Sequence, residues 1–286
     1  MKTALLAALA MTAFAANSIL CRLALRSGAI DPASFTTVRL LSGAALLLVV
    51  AGVRHAWLAP RLERRGLNAA MLFVYAAAFS FAYVGLSAGL GALVLFGSVQ
   101  VTMMAMALFS GERLPAWSWV GFVVSIAGLL VLTSPGLSAP PLWETGLMAM
   151  AGAAWGVYSI LGRGNTSALL STASNFQFAA PVAVVVSLLA WRELHLTTIG
   201  VLLAVISGAV TSGLGYVIWY AALRGLSATS AALVQLTVPA IAALGGALLL
   251  TESIGWRLLA SGAMILGGVA LALAAKQPRS ATRAQA

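Results

Sequence analysis

The sequence predicts an all-α integral membrane protein, with ten transmembrane helices arranged as two inverted-topology five-helix repeats around a central cavity. Three observations carry this prediction. The chain is 62% hydrophobic and only 8% charged over its 286 residues, whereas a soluble domain carries roughly 25% charged residues. Apolar runs of about 20 residues, long enough to cross a hydrocarbon core roughly 30 Å thick, recur from end to end. The chain also repeats itself without a gap: Gly85-Leu-Ser-Ala, Ala92-Leu-Val, Ala107-Leu and Glu112 return as Gly225-Leu-Ser-Ala, Ala232-Leu-Val, Ala247-Leu and Glu252. Self-similarity of this length identifies the folding unit. A transmembrane barrel would instead show short runs of alternating polarity.

The first apolar segment, residues 1–25, carries a lysine and the Ala13-Phe-Ala15 triplet of a signal-peptidase site. Its apolar run continues past that site, and Ser18-Ile-Leu-Cys-Arg22 recurs as Ser159-Ile-Leu-Gly-Arg163, so the segment is expected to be a retained structural element. The further spans are expected at about residues 32–53, 67–86, 90–110, 115–133, 145–163, 168–190, 197–222, 227–250 and 255–275. Pro32, Pro60, Pro115, Pro135, Pro140 and Pro141 fall near span ends, where proline is tolerated or ends a helix. The turn-rich loop Ser134 to Trp143 divides the chain into a first repeat, 1–137, and a second, 138–276. Residues 277–286 read as a disordered cytoplasmic tail.

Charge placement gives orientation. With the N-terminus in the cytoplasm, 11 of the 16 lysines and arginines fall on that side, and both termini are inside. Five spans per repeat is an odd number, so the second repeat enters the membrane inverted, and Glu112 and Glu252 end on opposite faces. Inverted repeats can exchange conformations and so alternate access to a site near the midplane. The net charge of +10 does not indicate nucleic acid, because the basic residues sit in short loops rather than along one face of a domain. The lone Cys21 excludes an intrachain disulfide framework and a thiolate metal cage.

The run Gly213-Leu-Gly-Tyr-Val-Ile-Trp-Tyr-Ala-Ala-Leu-Arg224, followed by Ala231-Ala-Leu-Val-Gln-Leu-Thr-Val-Pro239, Glu252 and the glycine-rich 262–268, resembles the EamA repeat of the drug/metabolite transporter superfamily. The first half matches through Gly111-Glu112 and Arg39, but has Val99 in place of Pro239 and Ala16-Asn17 in place of the Trp-Gly that Trp155-Gly156 retains. The resemblance implies ten helices, both termini inside and export of small metabolites. Within the superfamily, the chain is most similar to aromatic amino acid exporters.

Polar and aromatic residues far from helix ends are candidates for a solute site, because burying them in lipid is costly. Tyr216, Trp219 and Tyr220 share one helical face, as do Tyr75, Phe79 and Tyr83. Trp155 and Tyr158 correspond to Phe14 and Asn17 at an offset of 141 positions. Such rings suit a flat or amphipathic solute, and they also serve simply to pack helices. Pro239 and Pro181 free the carbonyls of Gln235 and Gln177, which places an unpaired acceptor and an amide at each kink. Ser98 and Gln100 are the corresponding candidates in the first half. Arg39 either contacts an anion or snorkels or pairs with Asp31 or a helix end. Gly208, Ser212, Thr211 and Gly215 form small-residue motifs for close helix approach. Trp57, Trp117, Trp119, Trp143, Trp191 and Trp256 lie by span ends as interfacial anchors.

No lysine lies between Lys2 and Lys276, which excludes a Walker A site and an internal Schiff base; His55 and His195 stand alone, so there is no HExxH zinc site and no metal or cofactor is expected. No predicted span carries a carboxylate near its middle, so a proton relay on buried acids has no support. The expected function is a secondary exporter of amino acids and other small metabolites in the bacterial inner membrane, facilitated or exchange-like. The expected partners are a small-molecule solute and the lipid bilayer. The sequence leaves the oligomeric state open and is compatible with a monomer. A sugar-nucleotide or organic-phosphate translocator is the alternative within the superfamily, and a membrane-embedded enzyme or a channel the alternatives outside it.

Overall fold

A computed structural model describes residues 2–53, 65–109, 111, 115–134, 140–162, 167–226 and 228–275. The described residues are helical, with no strand beyond an isolated bridge between Ile30 and Leu196. The helices are α1 Lys2–Arg26, α2 Pro32–Val53, α3 Arg65–Ala82, α4 Ala88–Phe109, α5 Ala116–Thr133, α6 Leu142–Leu161 and α7 Ala168–Leu189. They continue as α8 Thr198–Ile206, a π-helical stretch Ser207–Leu214, α9 Gly215–Leu223, α10 Ala228–Gln235, α11 Thr237–Leu250 and α12 Trp256–Ala275. By length and composition, 8 segments among the described residues can cross a membrane, the stretches Thr198–Leu223 and Leu233–Leu250 each counting as one. The apolar part of α3, Gly66–Ala82, is shorter, and α6 is diluted by Glu144, Trp155 and Tyr158.

Local chemistry sets several boundaries. Pro32 opens α2, where its missing N–H removes no bond, and the Ser34 N–H donates to the Asp31 carboxylate at 2.8 Å as an N-cap. Thr197 caps α8 by accepting from the Gly200 N–H at 3.1 Å. The expected span 67–86 stops at Ala82, four residues early, where a turn leads into α4. The expected span 227–250 is broken at Leu236. Pro239 has no N–H for the Gln235 carbonyl, so the helix ends at Gln235 and restarts with proline in its first turn. The expected span 197–222 holds as a length but not as a winding, because its middle turns are π-helical. The tail 277–286, Glu112, Trp57 and His55 lie outside the described residues.

The bundle pairs α3 and α4 with α6, α2 with α7, α1 with α9 and α11, and α5 with α12. Small residues bring the pairs together. A Cβ on Gly208 would meet the Arg39 carbonyl, and one on Gly121 the Gly268 carbonyl, so backbone lies against backbone at both crossings. Large apolar side chains face outward, as with Phe109, Leu189 and Leu248. Trp117, Trp119, Trp143, Trp191 and Trp256 are exposed at or beside helix ends, as anchors in an interface would be. Ala13 to Ala15 lie mid-helix in α1, with Phe14 and Ala15 buried.

Candidate functional site: an aromatic pocket beside a buried arginine

Five helices converge on one pocket. Phe14 and Ser18 come from α1, Tyr75 and Phe79 from α3, Leu95 and Phe96 from α4, Trp155 from α6 and Tyr216 from α9. Side chains nearly fill it, leaving a cavity of about 10 Å³, room for roughly one water, so a solute enters only as the rings move apart. Trp155 is its hub. The indole lies 4.8 Å from the Tyr216 ring, 4.9 Å from Tyr75, 5.4 Å from Tyr158 and 5.9 Å from Phe14, centroid to centroid. These are tilted and edge-on contacts in the range aromatic pairs favour.

Arg39 borders this cage. It is 1% exposed, so it neither snorkels nor pairs with Asp31. Both Asp31 oxygens are engaged elsewhere, accepting from the Ser34 and His195 backbone N–H groups. The guanidinium donates from Nε to Ser212 Oγ at 3.0 Å, and from Nη2 to the hydroxyls of Tyr75 at 3.1 Å and Tyr216 at 3.4 Å. It also lies 5.2 Å from the Tyr75 ring centre and 4.9 Å from that of Phe79, within cation–π reach. Nη1 has no hydrogen-bond partner.

The π-helical stretch supplies the facing polar groups. Ser212 reaches Arg39, while Ser207 and Thr211 donate to Asn17 Oδ1 at 2.6 and 3.2 Å. Asn17 is thus fastened to the neighbouring helix, and it does not line the pocket. Stretches of π winding are frequent at functional sites, and here one turns three small polar residues and two glycines toward α1 and α2. Sequence reasoning took Thr211 and Ser212 as packing residues and passed over Ser207. The available signal was a polar cluster, Ser207 to Ser212, inside an apolar run.

Other candidates lie elsewhere. Tyr83 is buried but stands outside the pocket lining, and its hydroxyl donates to the Ala88 carbonyl at 3.2 Å across the α3–α4 turn. Trp219 touches the cage only from behind Phe14, at 6.0 Å. Tyr158 accepts from Asn175 Nδ2 at 3.2 Å, and half-buried Tyr220 packs near Gly162. Ser98 sits in the α4–α6 seam against Gly152. Gln100 is buried with its Nε2 unpartnered. Buried Gln235 bonds the Ala231 carbonyl of its own helix at 3.4 Å. Gln177 and Pro181 are exposed. Helical geometry explains Gln177: Phe176 is buried against Tyr216, and the next residue along turns outward.

The end of the bundle that carries the C-terminus of α1 is held shut by polar contacts. Arg22 and Glu252 form an ion pair at 3.1 Å, and Arg22 Nη1 also donates to the Tyr83 and Val84 carbonyls at 2.9 and 2.8 Å. The second Glu252 oxygen accepts from the Ala88 N–H at 2.8 Å, at the N-terminus of α4, where a carboxylate also meets the positive end of the helix dipole. Arg26 donates to the Leu250 carbonyl at 2.7 Å, and Thr197 to that of Ala29 at the same distance. Glu252 is aimed by Thr251, the one described non-glycine residue at positive φ, 54°. That conformation is costly for a β-branched residue, so its neighbours must hold it there.

A helical bundle with membrane-length apolar segments converging on a tightly packed aromatic cluster beside buried polar groups is compatible with a small-molecule membrane transporter. The chain belongs to the EamA-like transporter family, whose sequence model matches residues 1–134 and 142–274. It is 50% identical over 282 residues to an uncharacterized protein of Pseudomonas aeruginosa, covering 98% of this chain and 97% of that one. It is 23% identical over 231 residues to an uncharacterized transporter of Archaeoglobus fulgidus, covering 78% of this chain and 81% of that one. One crystal structure superposes with a TM-score of 0.70 at 18% identity, covering 96% of this chain and 98% of that one, a likeness of fold.

Proposed function

We propose that this membrane transporter exports aromatic amino acids and similar small metabolites across the bacterial inner membrane by alternating access. The observation that carries the reading is the cage around Trp155, to which α1, α3, α4, α6 and α9 each contribute a ring or an apolar side chain. Rings in tilted and edge-on contact can exchange those contacts for the ring of a flat solute. Helices from both halves of the chain meet there, as a mechanism of two repeats moving about a central site requires. The reading takes the chain as ten crossings in two inverted repeats with both termini in the cytoplasm. It draws support from the two separate stretches matched by the family and from the 11-to-5 split of basic residues. On that orientation the Arg22–Glu252 end faces outward and is closed. Among the described residues the carboxylates, Asp31, Glu144, Glu193 and Glu252, stand at helix ends, which favours facilitated or exchange-like movement over a proton relay on buried acids.

Counterflow in proteoliposomes tests this. Vesicles preloaded with unlabelled phenylalanine or tryptophan are expected to accumulate the labelled amino acid transiently, and other aromatic solutes to compete. Linear, non-saturating flux without counterflow would indicate a channel and overturn the carrier reading. Counterflow with aliphatic solutes alone would overturn the aromatic one.

A further inference from the structure

We propose that Arg39 is a carboxylate-binding residue, whose Nη1 takes the carboxylate of a solute that has its apolar part in the aromatic pocket. This rests on the transporter reading but adds the anionic group that the solute must carry.

The argument begins with charge. A fully buried guanidinium needs compensation, yet no acidic side chain among the described residues is within ion-pair distance of Arg39; the ion pair they form is Arg22 with Glu252. Its partners are three neutral hydroxyls, on Ser212, Tyr75 and Tyr216, and two aromatic faces. Those hydroxyls occupy Nε and Nη2, and both N–H donors of Nη1 remain unused at a residue 1% exposed. Helix packing alone does not account for a permanent charge held in this way, because an apolar side chain would pack the α2–π crossing without leaving donors idle.

The position then specifies the ligand. Tyr75, Phe79 and Tyr216 touch the guanidinium and also line the pocket, so a group bound at Nη1 is adjacent to the rings. The Nη1–Nη2 edge is a planar fork that fits a carboxylate. The longer of the two Nη2 contacts, 3.4 Å to Tyr216, is the one a ligand oxygen would exchange for. A phosphate dianion calls for a second cation, and Arg22 is already committed to Glu252 and two backbone carbonyls. One guanidinium and one ring cage match one carboxylate and one flat apolar group.

Binding to the purified full-length protein in detergent, followed by thermal shift and calorimetry, separates the outcomes. The probes are phenylalanine, 3-phenylpropionate, phenethylamine and phenyl phosphate, with hexanoate and hexylamine as an aliphatic pair. Phenylalanine and 3-phenylpropionate are expected to bind wild type at least about tenfold more tightly than phenethylamine, the scale of one hydrogen bond to a charged group. Arg39→Gln is expected to erase that preference by weakening phenylalanine and 3-phenylpropionate, with phenethylamine, freed from the nearby like charge, bound at least as tightly as before. Arg39→Lys, which keeps the charge but not the fork, should retain part of it. The proposal is overturned if phenethylamine binds wild type as tightly as phenylalanine. It is overturned equally if phenyl phosphate outcompetes 3-phenylpropionate, or if Arg39→Gln keeps the preference. The wild-type comparison decides the matter even where Arg39→Gln fails to fold. If no aromatic probe binds, the aromatic reading falls and the aliphatic pair decides this one. Tighter binding of hexanoate than hexylamine sustains the proposal, and equal or absent binding ends it.

Discussion

Glu252→Gln is expected to loosen the closed end of the bundle by a measurable and bounded amount. The substitution keeps shape and one acceptor oxygen but removes the negative charge from the pair with Arg22 and from the α4 N-terminus. Hydrogen bonds to charged groups contribute about 1.5–3 kcal/mol, and breaking a fully buried ion pair costs about 3–5 kcal/mol. With side chains 13% and 10% exposed, this pair stands short of that limit. Because the amide retains part of the contact, the loss is expected to be about 2 kcal/mol. At 1.4 kcal/mol per tenfold, the balance between closed and open ends then shifts about 30-fold. The readout is a cysteine at Ser18, which lines the pocket one helical turn below Arg22, in a Cys21→Ala background. The rate of modification by a membrane-impermeant maleimide, supplied from the α1 C-terminal side, is expected to rise at least tenfold in Glu252→Gln. Combining it with Arg22→Gln should add little, since both act on one contact. An unchanged labelling rate in folded protein would show that the pair does not hold this end closed.

Trp155→Ala is expected to weaken aromatic competition in counterflow by tenfold or more, because the indole contacts four other rings, each worth about 0.5–1.5 kcal/mol. Trp219→Ala should cost distinctly less, since Trp219 meets the cage only through Phe14; equal losses would place the solute on the wrong face of Phe14. Gly208→Val should abolish recovery of monodisperse protein on size exclusion, because its Cβ would meet the Arg39 backbone carbonyl, whereas Gly66→Ala, with open space around it, should be recovered like wild type. Gln177→Ala should leave transport constants unchanged, as the side chain is exposed on α7.

Much of the bundle was legible because membrane helices announce themselves by length and apolarity, and because the duplicated text located matching elements in each half. What the pattern could not show was how a helix is wound. Nothing in the run Ser207–Leu214 distinguishes π from α winding by periodicity, and the close crossing with α2 at Gly208, which lies in the same stretch, joins residues distant in sequence. The aromatic cage was half legible. Spacing identifies Tyr75, Phe79 and Tyr216 as members of stripes and the repeat offset identifies Trp155, but neither can rank members of one face. On sequence Trp219 and Tyr83 stand ahead of Trp155, whereas the pocket is lined by Trp155 and by neither of those two. Arg39 stood out as a charge inside a span, yet its burial depends on Ser212, Tyr75 and Tyr216, which are distant in sequence. Arg22 and Glu252 were each visible as repeated residues, answering to Arg163 and Glu112, and topology put the two on one face. That they touch follows from the turn at Thr251, a single left-handed residue that no composition argument reveals.

The cations at the closed end share a habit with a genetic consequence. Arg22 binds the carbonyls of Tyr83 and Val84, Arg26 that of Leu250 and Arg257 that of Ser134. Every residue type supplies a carbonyl, so substitution at those positions leaves the acceptor in place, and related sequences need show no correlated change between the arginines and the residues they hold. Much of this fastening is written in the backbone trace rather than in the alphabet of side chains. It is also less exposed to screening than a lattice of ion pairs, since a carbonyl has no net charge for salt to neutralise. A chain with six carboxylates in all can therefore secure its arginines at the membrane edge while using few of them.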